Sequence, residues 1–144
     1  MIRRASPTDA LAIVELAARA VSGLPDSRNV VSSAARVRQA AKRLISDPQS
    51  LVLVCDQDGK LNGVLAMSVS DALWFERKVA GIVLWYAETP RTGYAMLRQA
   101  LTWAKGRPAI KAVGFSEEFA VDQRVGNLLM RAGLPRRGAV YARY

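Results

Sequence analysis

Val79-Ala80-Gly81-Ile82-Val83-Leu84-Trp85-Tyr86, continued by Ala87-Glu88 and then by Thr89-Pro90-Arg91-Thr92-Gly93-Tyr94-Ala95, decides how this chain is read. The first run is apolar almost without interruption, the pattern of a central strand covered on both faces. Beyond it, Met96, Leu97, Ala100, Leu101 and Ala104 recur at helical spacing and predict a helix over 93–105, broken by Gly106-Arg107-Pro108. A buried strand that feeds a helix through a short turn leaves unpaired N–H groups and the positive end of the helix dipole at the edge of the sheet. Small residues at Gly93 and Ala95 would let an anion approach that helix start, with Arg91 adding a mobile cation, while Pro90 to Gly93 reads equally as a plain turn into a helix.

Upstream, Leu51-Val52-Leu53-Val54-Cys55 and the run 61–70 flank Asp56-Gln57-Asp58-Gly59-Lys60, which reads as a hairpin around an Asp-Gly turn. The chain opens with a short strand, Ile2-Arg3-Arg4-Ala5, and Ser6-Pro7-Thr8-Asp9 supplies an N-cap, a proline at the first helical position and a carboxylate three residues after the cap. Leu11, Val14, Leu16, Ala17, Ala18 and Val21 form the expected apolar side of that helix, which Gly23-Leu24-Pro25-Asp26 stops. A second helix fits 33–46, with Val37, Ala40, Ala41 and Leu44 on one face and Arg36, Arg38, Lys42 and Arg43 on the rest. Downstream come a strand over 110–115, a helix over 121–132 ended by Gly133, and a strand over 138–144. The order β α α β β β α β α β predicts an α/β fold with a mixed, mostly antiparallel sheet flanked by helices.

With 144 residues, 51% apolar and 23% charged, a single domain over 1–144 is expected. No apolar run reaches the roughly 18 residues of a membrane span and no signal-peptide pattern follows the basic start, so a cytoplasmic location is expected. The single cysteine, Cys55, ends an apolar run and reads as a small buried hydrophobe. There is no histidine, which removes Ser-His-Asp and Cys-His catalysis and two-histidine zinc sites. A net charge of +9 favours an anionic partner, be it a nucleotide cofactor, an acidic protein or a nucleic acid. No zinc-finger spacing or RNA-recognition motif accompanies that charge, so nucleic acid is the weakest of the three.

The element order and several local stretches resemble the GCN5-related N-acetyltransferases (GNATs) over essentially the whole chain. Ile2-Arg3-Arg4-Ala5 with Thr8-Asp9-Ala10 is similar to the family's opening. Asp58-Gly59-Lys60-Leu61-Asn62-Gly63-Val64-Leu65 is similar to its hairpin, and Ala132-Gly133-Leu134 to its helix-ending signature, with Leu in place of Phe. The family joins strand 4 to helix 3 by Arg or Gln, two residues, Gly, one residue, and Gly or Ala. Here Gly93 and Ala95 match, Pro90 stands at the Arg position, and Arg91 lies one residue closer to Gly93. The resemblance implies acetyl-CoA as cofactor, held by Trp85, Tyr86 and Ala87 at the strand end and by Arg91, Thr92, Gly93, Tyr94 and Ala95 at the turn, with direct transfer to an amine acceptor, protein or small molecule.

It also implies a base that takes the ammonium proton and often a Tyr on helix 4 that protonates the thiolate. That Tyr position falls on Leu129, which donates nothing and fits the apolar stripe of its helix. No carboxylate lies within 79–86, so Glu88 just beyond the strand and Glu117, beside Glu118 after strand 5, are the candidate bases, with Tyr86 a further polar candidate. Trp74-Phe75 and Trp85-Tyr86 are expected in the core or lining the acceptor pocket. Cations on helix 2, which borders the acceptor cleft in this family, favour a protein N-terminus, a lysine on an acidic surface or a carboxylate-bearing acceptor. The alternative is a catalytically silent protein of the same fold that binds a protein partner. Dimerisation with a second copy is also in keeping with the family.

Overall fold

The computed structural model describes residues 1–23, 33–74, 76–115 and 124–137. Its strands are β1 (Ile2–Arg4), β2 (Leu51–Gln57), β3 (Lys60–Asp71), β4 (Lys78–Ala87) and β5 (Ile110–Gly114). Its helices are α1 (Ala10–Ser22), α2 (Ala34–Ser46), α3 (Pro90–Lys105) and α4 (Arg124–Arg131). The expected final strand and the expected start of the last helix lie outside the described residues. The strands form one sheet in the order β1-β2-β3-β4-β5, antiparallel throughout except for the parallel β4–β5 pair. This is the mixed, mostly antiparallel sheet that the sequence predicts.

Period-two alternation divides the core into two layers. Leu51, Leu53, Leu65 and Met67 face Met96, Leu97 and Ala100 of α3 together with Leu129 of α4. On the opposite face Val52, Val54, Val64 and Ala66 meet Ile13 and Leu16 of α1 and Ala41 of α2. The hairpin turn has Asp58 at φ 54° and Gly59 at φ 81°, the two positive angles that a two-residue turn between twisted strands requires. After α4, Gly133 takes φ 92°, its N–H donates to Met130 O, and the Leu134 N–H donates to Leu129 O, which closes the helix as the Ala-Gly-Leu sequence predicts.

Two apolar expectations are corrected. The first helix begins with a 3-10 turn over Pro7–Asp9, and the buried stripe of α1 then runs through Ala10, Ile13, Leu16 and Ala17, which leaves Leu11 61% exposed. Trp74 is not in the core: it sits with Leu73 in the β3–β4 connection, 82% and 85% exposed, because no described residue reaches over this short turn beyond the sheet, and Phe75 lies outside the described residues.

Polar contacts finish the β1 flank. Arg3 donates to both carboxylate oxygens of Asp9 (2.8 and 3.0 Å) and to Asp56 (3.0 Å), and the Ser6 N–H and hydroxyl also donate to Asp9. The Arg3 guanidinium holds the Asp9 carboxyl down at about 2, against the opposing effect of burial.

Candidate functional site

The site follows from where β4 loses a neighbour. β3 accompanies β4 along its whole length, from Asp71↔Lys78 to Gly63↔Ala87. β5 accompanies it only from Lys78↔Ile110 to Gly81↔Gly114. Between Ile82 and Leu84 the β3 register shifts, so Val83 is a bulged residue, 60% exposed. A bulge bends and twists its strand, and this one lies just where the β5 pairing ends. Over 82–87 the β5-facing edge of β4 therefore has no strand partner among the described residues. Backbone donors and acceptors on such an edge need water or a ligand to pair with.

α3 closes the end of this splay. Trp85 packs in the α3 layer, meets Phe115 edge-on at 5.8 Å, and donates its indole N–H to Gly93 O at 3.2 Å. Gly93 lies against the sheet: a Cβ there would stand 3.5 Å from the Ala87 Cβ and 3.5 Å from the Trp85 indole nitrogen. Gly63 opposite is tighter, since a Cβ would come within 2.9 Å of Met96 Sδ and 3.4 Å of Thr92 Cγ2. Glycines on β3 and α3 thus let the helix start sit directly on the strand ends.

The helix start differs from the sequence expectation. α3 begins at Pro90, a turn before Gly93, because Thr89-Pro90 is itself an N-cap followed by an N1 proline. Pro90 has no N–H, the Thr92 N–H is capped by Thr89 Oγ1 at 3.2 Å, and the Gly93 N–H already bonds Thr89 O. Of the first turn's amides only that of Arg91 stays uncommitted among the described residues; beside it stand the exposed Arg91 side chain and the Thr92 hydroxyl, which accepts from Thr89 Oγ1 at 3.0 Å and keeps its own proton to donate. This set fits a phosphate held by a cation and a hydroxyl better than one held by a bare amide cradle.

The structure brings together Trp85, Ala87, Arg91, Thr92 and Gly93, and it separates others from them. Tyr86 points into the α1 and α2 layer, on the opposite face from Trp85. Tyr94 turns towards α4, where Arg131 lies over its ring at 5.3 Å. Ala95 is exposed on the helix surface. Glu88 follows β4, and its carboxylate accepts from Arg19 of α1 at 2.7 Å, both groups partly exposed. Glu117, with Glu118, lies outside the described residues. Leu129 is buried in the α3 layer, so its apolar character is accounted for by packing. Sequence reasoning missed Thr89, whose Thr-Pro signal was present, and Arg19, whose contact with Glu88 no local pattern announces.

No family model matches the chain, and no curated protein matches it by sequence. Solved structures do match it over its whole length. An aminoglycoside antibiotic 6'-N-acetyltransferase from Acinetobacter haemolyticus superposes with a TM-score of 0.69 at 18% identity, with 100% of this chain and 95% of that one covered. A ribosomal-protein-alanine N-acetyltransferase from Brucella melitensis biovar Abortus 2308 gives 0.69 at 14% identity, covering 100% and 99%. A glucosamine-6-phosphate N-acetyltransferase from Arabidopsis thaliana gives 0.72 at 13% identity, covering 100% and 97%. The fold is that of the GNAT acetyltransferases. The names of these three GNAT-fold proteins carry three different acceptors, so the fold selects no acceptor for this chain. No helix among the described residues is long and apolar enough to cross a membrane.

Proposed function

We propose that this protein is an acetyl-CoA-dependent N-acetyltransferase whose cofactor lies in the β4–β5 splay with its phosphates at the start of α3. The observation that carries this reading is the edge of β4 over 82–87 that has no strand partner among the described residues and ends at a helix start bearing Arg91 and the Thr92 hydroxyl. An extended, amide-bearing chain can pair with such an edge as an added strand would. Acetyl-CoA, when bound, supplies an acyl carbon activated as a thioester. Trp85 then forms a wall of the splay and, through its bond to Gly93 O, fixes α3 against β4. Glu88 is the base in this reading: it leaves Arg19 to accept the ammonium proton of the acceptor, directly or through one water. With acetyl-CoA bound, the amine freed by that proton transfer would be held against the thioester, and because Leu129 offers no acid, the thiolate would take up, through solvent, the second proton that the amine gives up.

The Arg19–Glu88 pair and the buried Leu129 favour one second reading, a silent GNAT-fold protein that binds acetyl-CoA or a protein partner without transfer. An assay of free thiol release with acetyl-CoA over a panel of peptide N-termini, lysine peptides and amino acids separates the two. Acetylated product with stoichiometric thiol, reduced about 100-fold in kcat by Glu88→Gln, is the expected result. Cofactor binding with no thiol release across the panel would leave the silent protein standing.

A further inference from the structure

Two parts of the molecule carry cations with no Asp or Glu within their bounds: α2, and the layer of α3, β5 and α4, each of whose elements carries Lys or Arg, while Glu117, Glu118 and Asp122 between β5 and α4 lie outside the described residues. On the outer side of this layer α3 and the end of α4 border an open groove of about 210 Å³. Tyr94, Leu101, Arg98 and Lys105 line it from α3, and Arg131 and Ala132 from α4. Arg98 and Lys105 are exposed and form none of the molecule's ion pairs among the described residues. Leu101 and Ala132 are half-buried and make an apolar floor beneath these cations.

We propose that this groove between α3 and α4 docks an acidic segment of a protein partner, with an apolar side chain seated on Leu101 and Ala132 and flanking carboxylates on Arg98, Lys105 and Arg131. The inference does not rest on acetyl transfer, since the groove lies on the outer face of α3 and the splay on its inner face. From Tyr94 to Lys105 the helix spans about 16 Å at roughly 1.5 Å per residue. That length accommodates about five residues of extended chain at roughly 3.3 Å each. The floor distinguishes this ligand from others that carry negative charge. A polyphosphate has no apolar group to cover Leu101 and Ala132. For a nucleic acid, one face of the Tyr94 ring, where a base would stack, is covered by the Arg131 guanidinium.

The test is fluorescence anisotropy of a labelled glutamate peptide with a central leucine, titrated with the full chain at low salt. Saturable binding is expected, weakened at least about tenfold by Arg98→Glu with Lys105→Glu and graded in between by the Gln pair, which covers the case in which the double reversal unfolds the protein. Arg38→Glu with Lys60→Glu, an equal charge change on other faces, should weaken it no more than about threefold, and a Leu→Ser peptide should bind about tenfold less tightly. Equal losses in the two double-charge variants, tighter binding of a single-stranded oligonucleotide than of the peptide, or no binding of the peptide would each overturn the proposal.

Discussion

The two flanks of the sheet use polar groups in opposite ways. At β1, a strand of three residues, charge is matched within the chain: Arg3 meets Asp9 and Asp56, Ser6 donates to Asp9, and the N-terminal ammonium donates to Asp56 O. At β4 and β5 polar groups have no partner among the described residues. The ladder stops at Gly81↔Gly114 while β4 continues, the carboxylates needed to pair Arg98 and Lys105 are missing from α3, β5 and α4, and the amide of Arg91 has no partner in its own turn. A flank whose groups are satisfied internally serves the fold, whereas one with unpaired donors and cations suits molecules from outside. Stability should therefore be sensitive to polar changes at the first flank and tolerant of them at the second.

The largest stability effect is expected at Asp9. Its carboxyl is lowered from the ordinary 3.8 to about 2, chiefly by the Arg3 hydrogen bonds, in a side chain that is only 11% exposed. That depression corresponds to about 2 kcal/mol of folding stability. Because the folded value is the lower one, this contribution is complete above the ordinary carboxylate range and is lost as pH falls through about 2. Asp9→Asn should thus lower stability by about 2 kcal/mol at neutral pH in urea melts, with the difference from the native chain shrinking between about pH 4 and pH 2. A difference independent of pH would mean that the ion pair is not its source.

At the other flank, Thr89→Ala removes the side-chain cap of α3 and should cost about 1 kcal/mol in the same melts, with Thr89→Ser near the native value. A loss as large as that at Asp9 would break the contrast, because the helix start would then be a structural keystone rather than a surface open to ligand.

Much of the fold can be read in the residues because its signals are local. Asp58-Gly59 demanded a two-residue turn, Gly133 a left-handed helix end, and Leu129 a place in the apolar stripe of its helix. The misses come from effects that depend on distant partners or on phase. The 3-10 turn at Pro7 set the rotation of α1, which buried Ile13 and exposed Leu11. Apolarity suggested a place in the core or the acceptor-pocket lining for Trp74, although burial depends on what lies opposite and no described residue covers that turn. At the candidate site, the approach of Gly93 to Ala87 and Trp85 was foreshadowed by its small side chain. The bulge at Val83 that coincides with the opening of the sheet has no mark in a run of uniformly apolar residues, and the partner of Glu88 lies 69 positions away on α1.

Calorimetric titration measures directly whether the half of β4 beyond the β5 ladder receives acetyl-CoA. The native chain should bind acetyl-CoA at a single saturable site. Arg91→Glu, which sets a carboxylate at the phosphate position on an exposed side chain, should weaken that binding at least about tenfold while far-UV circular dichroism stays native. No heat of binding from the native chain at roughly millimolar ligand, the weak end of specific affinities, or equal affinity in the two proteins, would contradict it.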